Sequence, residues 1–241
     1  MRKYVFIAIL FTVFLHGSTL TAQEVKKSNY FISVGGDIVS SFVWRGTPVS
    51  TSLNFQPSFV FSKSGFSAGS WGSVSIDGTY KEIDLFLSYE HSGFTAAVTD
   101  FYFDVNNKFF NYKNNTTSHM LEFALSYENE KIPIKILAST FFYGADKKAF
   151  YDVNETDFTK NNFSSYFELS YTFKLNGADL NTFAGLTSHN SFYGNTTGFV
   201  YTGITASKKI KITENFSLPL FVSFSVNPQV ESFFVVFGIN L

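Results

Sequence analysis

Apolar and polar residues alternate with period two through most of this chain, and hardly anywhere with the 3.6 period of an amphipathic helix. In 81–90, Ile83, Leu85, Leu87 and Tyr89 share one face, opposite Glu82, Asp84, Ser88 and Glu90. In 120–128, Leu121, Phe123, Leu125 and Tyr127 oppose Glu122, Ala124, Ser126 and Glu128. In 162–175, Phe167, Leu169, Tyr171 and Phe173 oppose Glu168, Ser170, Thr172 and Lys174. In 217–226, Leu218, Leu220, Val222 and Phe224 form the apolar set, with Phe221 breaking the rule on the other face. The C-terminal segment sets Phe233, Val235, Phe237, Ile239 and Leu241 on one side. The pattern predicts twelve strands, over 30–45, 50–62, 66–77, 80–90, 94–104, 118–128, 132–143, 163–175, 178–188, 198–212, 217–226 and 230–241. Each reaches the roughly 9–11 residues that a tilted membrane strand needs, well above the globular mode of about 5–6.

The connections alternate in length. Ser62 to Gly65, Glu90 to Gly93, Glu128 to Lys131 and Leu175 to Ala178 are short; Val105 to Thr117, Gly144 to Asn162 and His189 to Thr197 are long and rich in Asn, Thr and Tyr. Short turns at one end and long loops at the other is the plan of bacterial outer-membrane barrels. An even strand count puts both chain ends on the short-turn, periplasmic side. Leu87-Ser88-Tyr89, Leu125-Ser126-Tyr127 and Leu169-Ser170-Tyr171 each precede a short turn, so their Tyr rings stand at one interfacial level. Hydrocarbon leaves no partner for an open sheet edge, so strand one must close onto strand twelve. The expected fold is a closed antiparallel up-and-down transmembrane β-barrel. In the fifth strand, Thr95, Ala97, Thr99, Phe101 and Phe103 are assigned outward, because the other register puts Asp100 into lipid.

Composition narrows the class. The 241 residues are 20% aromatic and only 15% charged, and Phe alone occupies 32 positions, which excludes a disordered chain. With no Cys, disulfide staples, Cys-ligated metals and a Cys-linked lipid anchor are excluded. A formal charge of −1 gives no basic footprint for nucleic acid. Residues 1–22 read as a signal peptide, with Arg2 and Lys3 ahead of the apolar run Tyr4 to Leu15 and Ala22 before cleavage. Residues 23–241 are then one barrel domain in the cell outer membrane.

Four stretches carry a resemblance: Ser41-Phe42-Val43-Trp44-Arg45-Gly46, Ser70-Trp71-Gly72-Ser73, Glu82-Ile83-Asp84-Leu85 with Val98-Thr99-Asp100-Phe101-Tyr102, and Val236-Phe237-Gly238-Ile239-Asn240-Leu241. They resemble the TorF-like porin family of small outer-membrane barrels and its relatives in Bacteroidetes-type bacteria. That resemblance implies outer-membrane location and pore activity, and supplies no catalytic residues. The last strand is also similar to the signal read by the barrel assembly machinery, although it ends in Leu241 rather than Phe.

Candidate chemistry is sparse. His189 and Ser191 have the spacing of an H-x-S pair in barrel lipid hydrolases, where His activates Ser. Here they are expected on the lumen side, in a loop, whereas lipid hydrolysis needs them facing lipid. His91, His119 and His189 are too scattered for a metal site, and Asp152, Glu155 and Asp157 lack the pattern of a calcium loop. No cofactor is expected. The lumen lining is expected to carry Asp37, Glu82, Asp84, Asp100, Glu122 and Glu168 against Arg45 and Lys135, an acid excess that favours cations. The function expected is passive passage of small cationic or neutral solutes. A non-conducting structural or adhesion barrel, binding a partner through its long loops, is the alternative, and a lipid hydrolase using Ser191 a further one.

Overall fold

The computed structural model describes residues 30–103, 108–129 and 132–241. The signal segment 1–22 lies outside the described residues. The period-two pattern becomes fourteen strands: β1 Phe31–Val39, β2 Phe42–Trp44, β3 Thr47–Ser50, β4 Asn54–Lys63, β5 Phe66–Ser75, β6 Lys81–His91, β7 Phe94–Tyr102, β8 His119–Asn129, β9 Ile132–Gly144, β10 Ser165–Leu175, β11 Ala178–Thr187, β12 Gly198–Lys211, β13 Ser217–Asn227 and β14 Ser232–Asn240. Twelve of them form one closed antiparallel barrel, running β1, then β4 through β14 in chain order. β1 closes it, pairing β4 from Phe31↔Ser62 to Val39↔Asn54 and β14 through Asp37↔Asn240 and Val39↔Gly238. Each wall strand thereby has a neighbour on both sides, the β1–β14 seam being the shortest.

Tight turns set the register at one end. Ser64-Gly65, Ser92-Gly93 and Asn176-Gly177 all have positive φ at both residues, the geometry that matches the twist of the flanking strands. Beside two of these turns the Tyr rings of the repeat meet a Phe on the next strand, Phe66–Tyr89 at 4.5 Å and Phe94–Tyr127 at 4.6 Å between ring centres.

The wall is apolar outside and polar inside. Leu87, Leu125, Ile136, Leu169, Phe224 and Phe237 are each roughly half exposed on the outer surface. Asn54, Gln56, Ser73, Asp84, Glu122, Ser126, Ser170 and Ser223 on the alternate positions are buried. A soluble sandwich would show the opposite, with its large apolar residues packed face to face.

Two expectations are overturned. The predicted first strand, 30–45, ends at Val39. The chain bends at Ser40-Ser41 and enters the barrel as the β2–β3 hairpin, a separate two-stranded sheet. Its turn, Arg45-Gly46, has φ of 49° and 81°. The continuous run Phe42-Val43-Trp44 explains the break: it has no polar face to turn toward a lumen, and it is packed on every side.

The second correction concerns β7. Asp100 pairs with Leu85 on β6 and Leu121 on β8, both outward, while Thr99 pairs with Glu122 and Ala97 with Ser88 and Ala124 on the inner face. Thr99, Ala97 and Phe101 therefore point inward and Asp100 points outward, contrary to the sequence assignment. Its carboxylate survives there because His119 and Tyr112 reach it, as described next.

Candidate functional site

The half of the interior nearest the long loops is filled by the β2–β3 hairpin. Phe42 packs on Trp71 of β5 at 5.5 Å and on Tyr80 at 5.9 Å. Val43 clusters with Phe183 of β11 and Tyr201 of β12, and Phe234 and Val236 of β14 pack against that cluster. Trp44 meets Phe101 of β7 at 5.1 Å, Phe141 of β9 at 6.3 Å, and Phe192 and Tyr193 of the β11–β12 loop at 5.7 and 5.6 Å. Three consecutive residues thus touch six wall strands around the barrel. A bulge at Gly185/Leu186 helps, by letting Val200 and Tyr201 both turn inward.

Arg45 sits at the hairpin tip, 6% exposed, in a cage of one acid and three rings. Its Nη1 and Nη2 donate to the Glu122 carboxylate of β8 as a two-pronged pair, the Nη2–Oε1 arm at 3.1 Å. Nη1 also donates to the Tyr193 hydroxyl at 2.7 Å, and that hydroxyl donates on to Glu122 at 3.2 Å. The guanidinium carbon lies 4.6 Å from the Trp44 ring centre, 4.8 Å from Tyr166 and 5.5 Å from Tyr193, within the range where ring faces attract a cation. The Asn227 amide donates to the Gly46 carbonyl at 3.0 Å. A desolvated ion pair thus joins the hairpin tip to the wall, with the Asn227 hydrogen bond beside it, and Asn54 Nδ2 of β4 donates to Ser50 Oγ of β3 at 3.1 Å near the hairpin's base.

The other predicted lumen residues are dispersed along the wall. Asp37 is buried and accepts from Asn240 Nδ2 at 2.7 Å. Glu82 accepts from the Tyr80 hydroxyl at 2.6 Å, and Asp84 lies two positions further along the same face of β6. Glu168 accepts from the Tyr166 hydroxyl at 2.6 Å. Lys135 lies 3.9 Å from Glu128. Among the described residues Asp37, Glu82, Asp84 and Glu168 have no basic group within 4.0 Å. Toward the short turns the inner face is lined largely by Ser62, Ser67, Ser88, Ser126 and Ser170, with the Ser62 and Ser67 hydroxyls 2.8 Å apart.

Asp100 belongs to a different cluster, on the outer wall at the long-loop end. Its Oδ1 is 2.8 Å from His119 Nδ1, and its Oδ2 accepts from the Tyr112 hydroxyl at 2.7 Å. His119 Nε2 is 2.5 Å from the Phe109 carbonyl. Both ring nitrogens therefore lie within hydrogen-bond distance of an oxygen. Tyr112 stacks on His119 at 4.0 Å, with Tyr102 and Phe109 at 4.6 and 5.2 Å. The 108–118 loop folds down over the wall here and buries the imidazole completely. Burial and the Asp100 bond push the Tyr112 phenol up to about 12.

The long loops lock to one another. Lys147 Nζ donates to Asn114 at 2.7 Å and Asn161 at 2.8 Å, Asn162 Nδ2 to the Asn190 carbonyl at 3.1 Å, and Gln229 joins Asn195 and Thr196. Asp146 accepts from the Ser164 amide at 2.8 Å and hydroxyl at 2.6 Å, and burial pushes its carboxyl upward. His189 and Ser191 do not meet. The His189 ring bonds Ser188 Oγ and the Asn162 carbonyl, and the Ser191 hydroxyl bonds Thr187 at 2.7 Å.

Sequence reasoning missed the hairpin, Tyr193, Tyr166 and the His119 cluster. The only trace of the first was the turn signal Arg45-Gly46 inside an overlong strand. The others depend on contacts across the closed barrel or through a folded-back loop, such as Arg45 with Tyr193, 148 positions apart, and Asp100 with His119, 19 apart.

No known family matches the chain, and no curated protein matches it. A porin of solved structure is similar at a TM-score of 0.36 and 13% identity, over 78% of this chain and 60% of that one. The chain thus spans less than two thirds of that porin's length. The architecture rests on the strand pairing itself.

Proposed function

We propose that this chain is an outer-membrane barrel of the porin class, exported by the 1–22 signal segment, whose narrow lumen passes small cationic or neutral solutes. One observation carries the reading. The barrel is closed, turns its large apolar side chains outward, and lines its interior with hydroxyls, amides and carboxylates. Only an acyl-chain environment stabilises that inversion. The acid balance supports cation preference. With Asp100 outside, five of the named inner residues are acids, Asp37, Glu82, Asp84, Glu122 and Glu168, against Arg45 and Lys135. Arg45 is paired with Glu122 and Lys135 lies beside Glu128, so among the described residues no base within 4.0 Å offsets the acids on β1, β6 and β10. β14, with Phe233, Val235, Phe237 and Ile239 alternating on its outer face and Leu241 following it, is the segment offered to the barrel assembly machinery.

Recording from refolded protein in planar bilayers tests this. Discrete steps with a reversal potential toward the cation side are expected; an anion-side reversal contradicts the lumen assignment. A second reading, a non-conducting structural or adhesion barrel, is favoured by a specific observation: aromatic residues fill the long-loop half and the loops above it are interlocked. A uniformly silent bilayer would decide for it.

A further inference from the structure

We infer that the β2–β3 hairpin is a gate, and that the Arg45–Glu122–Tyr193 contact is its latch. The inference rests on the channel reading and deepens it: the solute path is shut in the conformation seen, and opening it means withdrawing residues 41–52 from the barrel.

Four observations point the same way. The hairpin belongs to its own sheet and shares no ladder with the wall. The twelve-stranded cylinder closes without it. It is tethered at both ends by short irregular segments, Ser40-Ser41 and 51–53, rather than by strand. Its tip carries the one cation it could use as a latch, and the acid that receives it comes from a wall strand 77 positions away. The rings around it, Trp44, Phe101, Phe141, Phe192 and Tyr193, pack into one cluster in the interior.

The physical logic is that of a two-state element. With the latch made, Arg45 and Glu122 neutralise one another out of water. With either one removed, the closed state holds an unpaired buried charge, which is strongly unfavourable. The open state hydrates both groups and is little affected. Truncating Arg45 therefore shifts the balance toward open by roughly 100-fold. Replacing both partners with apolar groups of similar size restores closure, because no charge is then left buried.

The test uses the whole refolded chain in lipid. The protein has no cysteine and only two tryptophans, so Trp71→Phe leaves Trp44 as sole reporter. In that background, acrylamide quenching of Trp44 should be low, should rise in Arg45→Ala and Glu122→Gln, and should fall again in the Arg45→Met/Glu122→Met double variant. In parallel, bilayer recordings should show brief openings for the unmodified protein and long ones for the two single variants. A barrel in which 41–52 is replaced by a short Gly-rich turn should stay open.

The outcomes separate the two claims. If the hairpin-deleted barrel, shown folded by its β-sheet circular dichroism, conducts no more than the unmodified one while both conduct, the gate is wrong and the channel stands. If neither conducts, the channel reading and the gate fall together. If Trp44 stays shielded in Arg45→Ala, the latch assignment is wrong whatever the conductance.

Discussion

His119 is the position where a small substitution distinguishes the structure from the alternation rule. His119→Phe keeps an aromatic ring among Tyr102, Phe109 and Tyr112 but removes both hydrogen-bonding ring nitrogens. One lost bond goes to the Asp100 carboxylate at 2.8 Å, the other to the Phe109 carbonyl at 2.5 Å. A hydrogen bond to a charged group contributes about 1.5–3 kcal/mol and a neutral one about 1 kcal/mol. His119→Phe should therefore cost about 3–4 kcal/mol. Asp100→Asn keeps an acceptor for His119 and should cost about 1 kcal/mol. Because the two residues share one bond, the double variant should fall short of the sum by about 1 kcal/mol. Chemical unfolding of the refolded protein in lipid vesicles, followed by tryptophan fluorescence, gives these values. Limited proteolysis of the 108–118 loop gives a local readout, with faster cleavage in His119→Phe. If Asp100 faced the lumen, Asp100→Asn would alter ion selectivity and leave the loop untouched. Independent, additive costs together with an unchanged cleavage rate would refute the outer-wall cluster.

Three further outcomes follow from the same geometry. Gly46→Ala places a methyl group against the Val200 carbonyl at a positive φ, so it should expose Trp44 to quencher without dismantling the barrel; an unchanged Trp44 would mean the hairpin tip is not confined. Leu169→Arg, on the outer face midway along β10, should cost roughly 2–4 kcal/mol in a bilayer, whereas inward Thr172→Arg should cost little, and equal costs would contradict the face assignment. The 145–164 loop should loosen in acid. The Glu155 carboxyl is held below the usual carboxylate range by the Lys160 ammonium and the Asp157 amide, and Asp157 by the Thr159 hydroxyl and amide. A carboxylate whose native value is depressed stabilises the loop above its ordinary value, and that contribution is lost as pH falls through the depressed one. Pepsin should therefore nick this loop faster at about pH 2.5 than at about pH 4.5, relative to an unstructured control peptide; equal relative rates would contradict it.

The wall was legible because one rule governs it. An outward Leu169 and an inward Ser170 are dictated by neighbours on adjacent strands, and the tight turns at Ser92-Gly93 and Asn176-Gly177 fix where each strand reverses. All twelve wall strands follow from that. The rule fails where its premise does. The segment Phe42-Val43-Trp44 has no polar face, so alternation could not say which way it goes, and extending β1 through it gave a strand too long by one hairpin. β7 carries Thr, Ala and Phe on one side and Ala, Val and Asp on the other, so the choice rested on keeping a single carboxylate out of lipid. That reasoning was sound for an isolated carboxylate. It could not see His119 and Tyr112, brought beside Asp100 by a loop that folds back over the wall. The Arg45 cage was hidden for the same reason, since Glu122, Tyr166 and Tyr193 converge only once the barrel has closed.

The account stands on which face of the wall meets lipid, and a spin-label scan along β10 in lipid vesicles measures that directly. The natural chain has no cysteine, so single Cys replacements from Tyr166 to Phe173 can each carry one nitroxide. Oxygen, which partitions into acyl chains, should relax the labels at Phe167, Leu169, Tyr171 and Phe173, and a water-soluble nickel chelate should not. At Tyr166, Glu168, Ser170 and Thr172 the oxygen effect should be small. A scan in which the two sets are reversed, or in which the chelate reaches the Phe167 and Leu169 labels freely, would contradict it.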